Sequence, residues 1–115
     1  MTPVIRVNAK KIDAVPTHKN RYKSVVGASI ISRANIAITI VCQADGKPPP
    51  NITWTMNGDP IVPNDVVKVL GRGRIRIKSL SDDYVGIYKC RAENVHGFDT
   101  ASSKITVYGK IWILS

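Results

Sequence analysis

Hydrophobic and polar residues alternate along most of this chain, with the period of two that marks strands buried on one side. Ile36, Ile38, Ile40, Cys42 and Ala44 fall on one face, and Ala37, Thr39, Val41 and Gln43 on the other. Ile52, Trp54 and Met56 alternate inward in the same way. Ile75 and Ile77 do so between Arg74, Arg76 and Lys78, and Leu80 closes that segment. Tyr88, Cys90 and Ala92 share one face of the next strand; Ala101, Ser103, Ile105 and Val107 form the last inward row. Val66 to Leu70 reads as a short apolar strand, and a first strand lies near Tyr22 to Val26. No long segment carries the helical period.

Turn chemistry separates these runs. Asn57-Gly58 is a strong two-residue hairpin signal, because both residues tolerate positive φ. Arg33-Ala34-Asn35 and Asn94-Val95-His96-Gly97 read as turns, and Ser81-Asp82-Asp83-Tyr84 as a corner. Gly46-Lys47-Pro48-Pro49-Pro50 forms a stiff loop, since its prolines supply no ladder donors. Turn signals about every ten residues and about seven strands, the first of them divided, predict an all-β sandwich.

Residues 1–21 read differently. Val4-Ile5-Arg6-Val7 has the makings of a short strand, but Lys10, Lys11, His18, Lys19 and Arg21 give a polar, basic stretch broken by Pro16. It reads as a basic N-terminal arm or linker before a domain spanning 22–108. Residues 109–115 add an apolar C-terminal tail, Ile111-Trp112-Ile113-Leu114, past the natural end of the last strand. The start, Met1-Thr2-Pro3-Val4, shows no apolar secretory signal, so the chain reads as a piece of a longer protein with Met1 added.

The chain has 115 residues, enough for one domain. No apolar run approaches the roughly 20 residues that span a membrane, so no membrane insertion is expected. Aromatics are 6%, so aliphatic side chains fill most of the core. The two cysteines lie 48 positions apart with neither histidine near them in sequence. A zinc site wants about four clustered ligands. The pair therefore reads as a disulfide made in an oxidising compartment, the alternative being a reduced buried pair.

In this order and spacing, Cys42, Gly46-Lys47-Pro48-Pro49-Pro50, Trp54, Asn57-Gly58, Ile75, Ile77, Leu80, Gly86-Ile87-Tyr88-Lys89-Cys90, Ala92-Glu93-Asn94 with Gly97, and Ile105-Thr106-Val107 resemble the I-set class of the immunoglobulin superfamily. The resemblance covers roughly residues 22–108. It implies two antiparallel sheets joined by a Cys42–Cys90 disulfide, with Trp54 packed on the bridge and Tyr88 fastening a corner. One position departs: Tyr84 stands where the family carries Asp, with Asp82 or Asp83 as substitutes. The class implies an extracellular recognition module of an adhesion molecule, receptor or secreted matrix protein, binding another immunoglobulin or cell-surface protein. The alternative is an intracellular, titin-like structural module of a filament protein.

A net charge of +9 draws attention to anionic partners. Continued alternation puts Arg72, Arg74, Arg76 and Lys78 on one outward face roughly 6.5–7 Å apart, with Lys68 and the N-terminal basic residues extending the patch. Charges so close repel within a Debye length of about 8 Å, and a sulfated glycosaminoglycan such as heparan sulfate would relieve that repulsion. The alternative is a solvated face that protects an edge strand. Nucleic acid is not expected, since the stripe has no reading helix and no interleaved aromatics. Asn51-Ile52-Thr53 is an N-glycosylation sequon facing outward. The opposite sheet face, with Ile87, Lys89, Arg91 and Glu93 at its centre, is a candidate surface for a protein partner or a second copy of the chain. Nothing points to an enzyme or a cofactor: neither histidine is near a nucleophile, and Gly71-Arg72-Gly73 precedes a strand and not a phosphate-cradling helix.

Overall fold

The alternating isoleucine rows close against each other across two sheets. The computed structural model describes residues 1–108. In chain order the strands are β1 (Val4–Ile5), β2 (Ile12–Ala14), β3 (Arg21–Val25), β4 (Ser29–Ser32), β5 (Ala37–Val41), β6 (Ala44–Asp45), β7 (Asn51–Met56), β8 (Asp59–Pro60), β9 (Val67–Leu70), β10 (Arg74–Ile77), β11 (Gly86–Asn94) and β12 (Gly97–Val107). One sheet runs β3-β5-β10-β9, the other β2-β4-β12-β11-β7-β8, and β1 pairs with β6.

Register explains the core. Ile75 lies opposite Ile40 and Ile77 opposite Ile38, while Cys90 lies opposite Trp54 and Tyr88 opposite Met56. Ile36, Ile38, Ile40, Ile75, Ile77, Leu80, Tyr88 and Ile105 are fully buried. Each such isoleucine stabilises by roughly 2 kcal/mol relative to exposure. The Cys42–Cys90 disulfide joins the sheets with a Cα–Cα distance of 6.4 Å. The predicted Asn57-Gly58 hairpin is present, with φ of 51° and 89°, and the Asn57 Oδ1 accepts a 2.9 Å bond from the Ile87 amide.

At the predicted corner, Asp82–Tyr84 forms a single 3-10 turn. The Tyr88 hydroxyl donates to the Tyr84 carbonyl at 2.6 Å. Burial pushes the Tyr88 phenol well above its usual range, so it stays protonated and remains a donor. Tyr84 itself packs against the core, a use of that position that an Asp could not make.

The N-terminal segment departs from a basic arm or linker. It is built into the sandwich: β1 pairs antiparallel with β6, β2 pairs parallel with β4, and Ile5 and Val15 are buried. The lysines that suggested a linker sit in the exposed runs 9–12 and 16–21, on either side of buried Asp13 and Val15. Asp13, only 4% exposed, accepts 2.7 Å hydrogen bonds from the Tyr22 hydroxyl and from Ser24 Oγ. Arg33 holds the following loop by donating to the carbonyls of Thr17 and Lys19. The apolar tail at 109–115 lies outside the described residues.

Asp13 carries a pH signature. Burial acts to raise its pKa, but the bonds from Tyr22, Ser24 and Asn8 and the charge of Lys10 together outweigh burial and hold it below the usual carboxylate value of 3.8. The unfolded chain therefore takes up this proton at a higher pH than the folded one, and acidification favours unfolding. The stabilisation is present above pH ~4 and is lost as pH falls through the lowered folded value. Asp13→Asn is expected to be less stable than the parent by about 1–2 kcal/mol at pH 7, the worth of a charged hydrogen-bond set. The gap should narrow progressively as pH falls below about 4 in urea titrations; a gap independent of pH would refute the assignment.

Candidate polyanion-binding face

The outward positions of the four-stranded sheet follow from its register. Lys23 lies beside Thr39, Thr39 beside Arg76, and Arg76 beside Lys68. One level away, Val25, Val41, Arg74 and Leu70 form the next row. At the other end Arg21 lies beside Ala37. Arg21, Lys23, Arg74, Arg76 and Lys68 thus project from one sheet face, and no outward position of these four strands carries a carboxylate.

The shape of the face matters as much as its charge. β5 presents the small residues Ala37 and Thr39, with Arg21 and Lys23 beside them on β3, while on β10 Arg76 lies beside Thr39 and Arg74 beside the next outward residue, Val41. Two strand spacings separate these cationic walls, about 10 Å. Together they line an open trough of about 520 Å3. It adjoins a second depression of about 740 Å3, which shares Lys23, Leu70 and Arg74 and adds Arg72, Pro49 and Pro50.

Two details differ from the expected stripe. Arg72 has φ of +64° and sits in the turn before β10, so the alternation does not run through it. Lys78 lies past the end of β10. β10 is also an interior strand, between β5 and β9, so its cations do not serve to protect a sheet edge.

The turn carrying Arg72 is fixed to the core. The Gly73 carbonyl accepts bonds from the Cys42 amide at 2.9 Å and from the Trp54 indole Nε1 at 3.2 Å. The Arg74 Nε closes the turn on the Gly71 carbonyl at 3.0 Å.

On the other sheet, Ile87, Lys89, Arg91 and Glu93 lie in register with Lys104, Ser102, Thr100 and Phe98. Ile87 is 49% exposed and Phe98 53%, and the Arg91 guanidinium lies 3.8 Å over the Phe98 ring. Phe98 was not among the expected residues; its parity with Thr100 and Ser102 was the available signal. Asn51 is exposed at the start of β7, opposite Glu93, with exposed Thr53 on the same face. Asn51 also lines the second depression, beside Pro49, Pro50 and Arg72, so the sequon borders the far end of the basic trough. Among the described residues no cluster of His, Cys, Asp or Glu could hold a metal ion, and no helix is long and apolar enough to cross a membrane.

Two sheets, an intersheet disulfide, the indole beside it and the Tyr88 corner are the structural marks of one domain family. Residues 27–107 match the immunoglobulin I-set domain. The chain belongs to the immunoglobulin I-set family. Hemicentin-1 of Homo sapiens is 34% identical to this I-set chain over 104 residues, which is 90% of this chain and 2% of hemicentin-1. The netrin receptor DCC of Rattus norvegicus is 30% identical over 80 residues, 70% of this chain and 6% of the receptor. The chain thus spans a small fraction of the length of the curated relatives it matches. Among solved structures, the crystal structure of the titin M10–obscurin-like 1 Ig complex superposes with a TM-score of 0.62 at 22% identity, covering 74% of this chain and 85% of that one. That similarity is one of fold. The I-set match begins at residue 27, so β1, β2 and β3 precede it. Half of the basic trough stands on β3.

Proposed function

We propose that this I-set domain is a non-catalytic recognition module of an extracellular protein, which binds a protein partner and, through the face of its four-stranded sheet, a sulfated glycosaminoglycan. The intersheet disulfide supports an oxidising compartment. Similarity to a receptor such as the netrin receptor DCC supports a cell-surface role. The likeness to titin domains is one of fold and adds nothing in favour of a filament role. The exposed Ile87 and Phe98 support the six-stranded face as the protein-binding surface.

The observation that carries the glycan reading is the trough itself: four cations, Arg21, Lys23, Arg74 and Arg76, and no carboxylate around a floor of Ala37 and Thr39. A chain of sulfates satisfies these charges without the aromatic stacking that single-stranded nucleic acid uses. The test is retention on heparin. Arg21→Ser/Lys23→Ser/Arg76→Ser removes one charge or more from each wall. Three surface contacts at roughly 0.5 kcal/mol each predict about a tenfold loss of affinity and elution at lower salt. Lys89→Ser/Arg91→Ser/Lys104→Ser removes the same charge from the other sheet and should leave retention unchanged. Equal shifts in both variants would mean that net charge, and not this face, governs binding. The same protein made through a secretory pathway should carry a glycan on Asn51, seen as mass lost in Thr53→Ala; equal masses would reject that modification.

A further inference from the structure

We infer that the sulfated chain lies lengthwise along β5, between the two cationic walls, and leaves the trough over Arg72. This inference rests on the glycan reading above and adds a path and a direction to it. The face offers two routes for a linear polyanion. Crosswise, the row Lys23, Thr39, Arg76 and Lys68 would lead it over the strands. Lengthwise, it would follow the floor of Ala37, Thr39 and Val41.

Four observations favour the lengthwise route. A crosswise chain must climb over Lys23 and Arg76, whereas a lengthwise chain lies between them with cations on both sides. The trough is continuous lengthwise, since its two depressions share Lys23, Leu70 and Arg74. Lys68 lines neither depression, but Arg72 lines the second. Charge is spaced to match: by register Arg21, Lys23 and Val25 mark successive levels about 7 Å apart along β3, with Arg76 and Arg74 facing the second and third. With Arg72 one step beyond, the path is about 20 Å long, the span of a short oligosaccharide.

Arg72 is held out at the end of this path. Its turn is anchored by the Gly73 carbonyl to Cys42 and Trp54, so Arg72 lines the second depression from a hairpin fixed to the core. An arginine placed in this way selects ligands long enough to reach it.

The two routes are told apart by removing one charge from each. Asn tolerates the positive φ that Arg72 adopts, so Arg72→Asn keeps the turn. Titration calorimetry with a heparin octasaccharide should show about a two- to threefold loss for Arg72→Asn, the size of one surface contact, and no measurable loss for Lys68→Ser. A heparin tetrasaccharide, too short to leave the doubly walled part of the trough, should bind Arg72→Asn and the parent alike. A larger loss from Lys68→Ser than from Arg72→Asn, or equal losses from both, would overturn the lengthwise path while leaving the face as the binding site. Absence of octasaccharide binding by the parent chain would overturn the glycan reading itself. Thermal midpoints of both variants within a few degrees of the parent establish that folding is not the cause.

Discussion

Replacing Cys42 and Cys90 together by Ala is expected to lower stability by about 4 kcal/mol, which for a domain of this size is a fall in the thermal midpoint of about 15 °C. The disulfide closes a loop of 48 positions, and without it the unfolded chain regains the freedom that the bridge removes. The native state loses packing as well. Both cysteines are buried, and Cys90 lies opposite Trp54 in the neighbouring strand. Reduction of the parent with dithiothreitol should give most of the same fall, because the thiols still fill the core. Calorimetric scans of the parent, the reduced parent and the double variant check this. A double variant within about 1 kcal/mol of the parent would show that the isoleucine rows hold the sheets together unaided, and would weaken the case for an oxidising compartment.

The parts of this domain that were legible in the sequence are those in which one residue in two is buried. β5, β7, β10, β11 and β12 follow that rule, and Ile38, Ile40, Trp54, Ile75, Ile77, Tyr88 and Cys90 point inward as their alternation requires. β3 follows it too, with Ser24 buried between exposed Lys23 and Val25 and set opposite Ile40 of β5. Residues 1–21 read as a linker because their exposed positions are basic and their inward residues include Asp13, which is buried in a hydrogen-bonded cluster with Ser24 and not by apolar contact. Arg72 was misplaced for a different reason. Alternation counts residues along an extended chain, and the positive φ at Arg72 and Gly73 breaks that count.

The candidate site was legible only in part for a topological reason. Alternation places Arg74 and Arg76 outward, but says nothing about which residues from distant segments stand beside them. That Lys23 shares a row with Arg76 follows from β3 lying parallel to β5, a pairing between segments that no local pattern encodes. The trough arises because the strand between two basic ones carries Ala37 and Thr39 at its outward positions. In the sequence these residues read as the unremarked polar side of a core strand.

Gly73→Ala is the substitution that should couple fold and site most strongly. Gly73 has φ of +71°, and a Cβ built there would overlap the Cys42 carbonyl oxygen. That atom belongs to backbone in the middle of the sandwich and cannot swing aside as a flexible side chain would. Strain at the positive φ costs about 1 kcal/mol, and forcing backbone apart in a packed region about 2 more. Shifting the turn also pulls the Gly73 carbonyl from the Cys42 amide and the Trp54 indole, leaving buried donors short of an acceptor. A total near 3 kcal/mol corresponds to a urea midpoint lowered by about 2 M at a slope of roughly 1.5 kcal/mol/M. The site should respond separately. At a temperature where the variant is fully folded, the displaced turn carries Arg72 away from the end of the trough, so Gly73→Ala should lose octasaccharide affinity to about the same extent as Arg72→Asn. Combining the two substitutions should then add little, because the second removes a charge that the first has already withdrawn. A Gly73→Ala protein as stable as the parent would show that the turn moves freely, and the rigid placement of Arg72 would have to be abandoned.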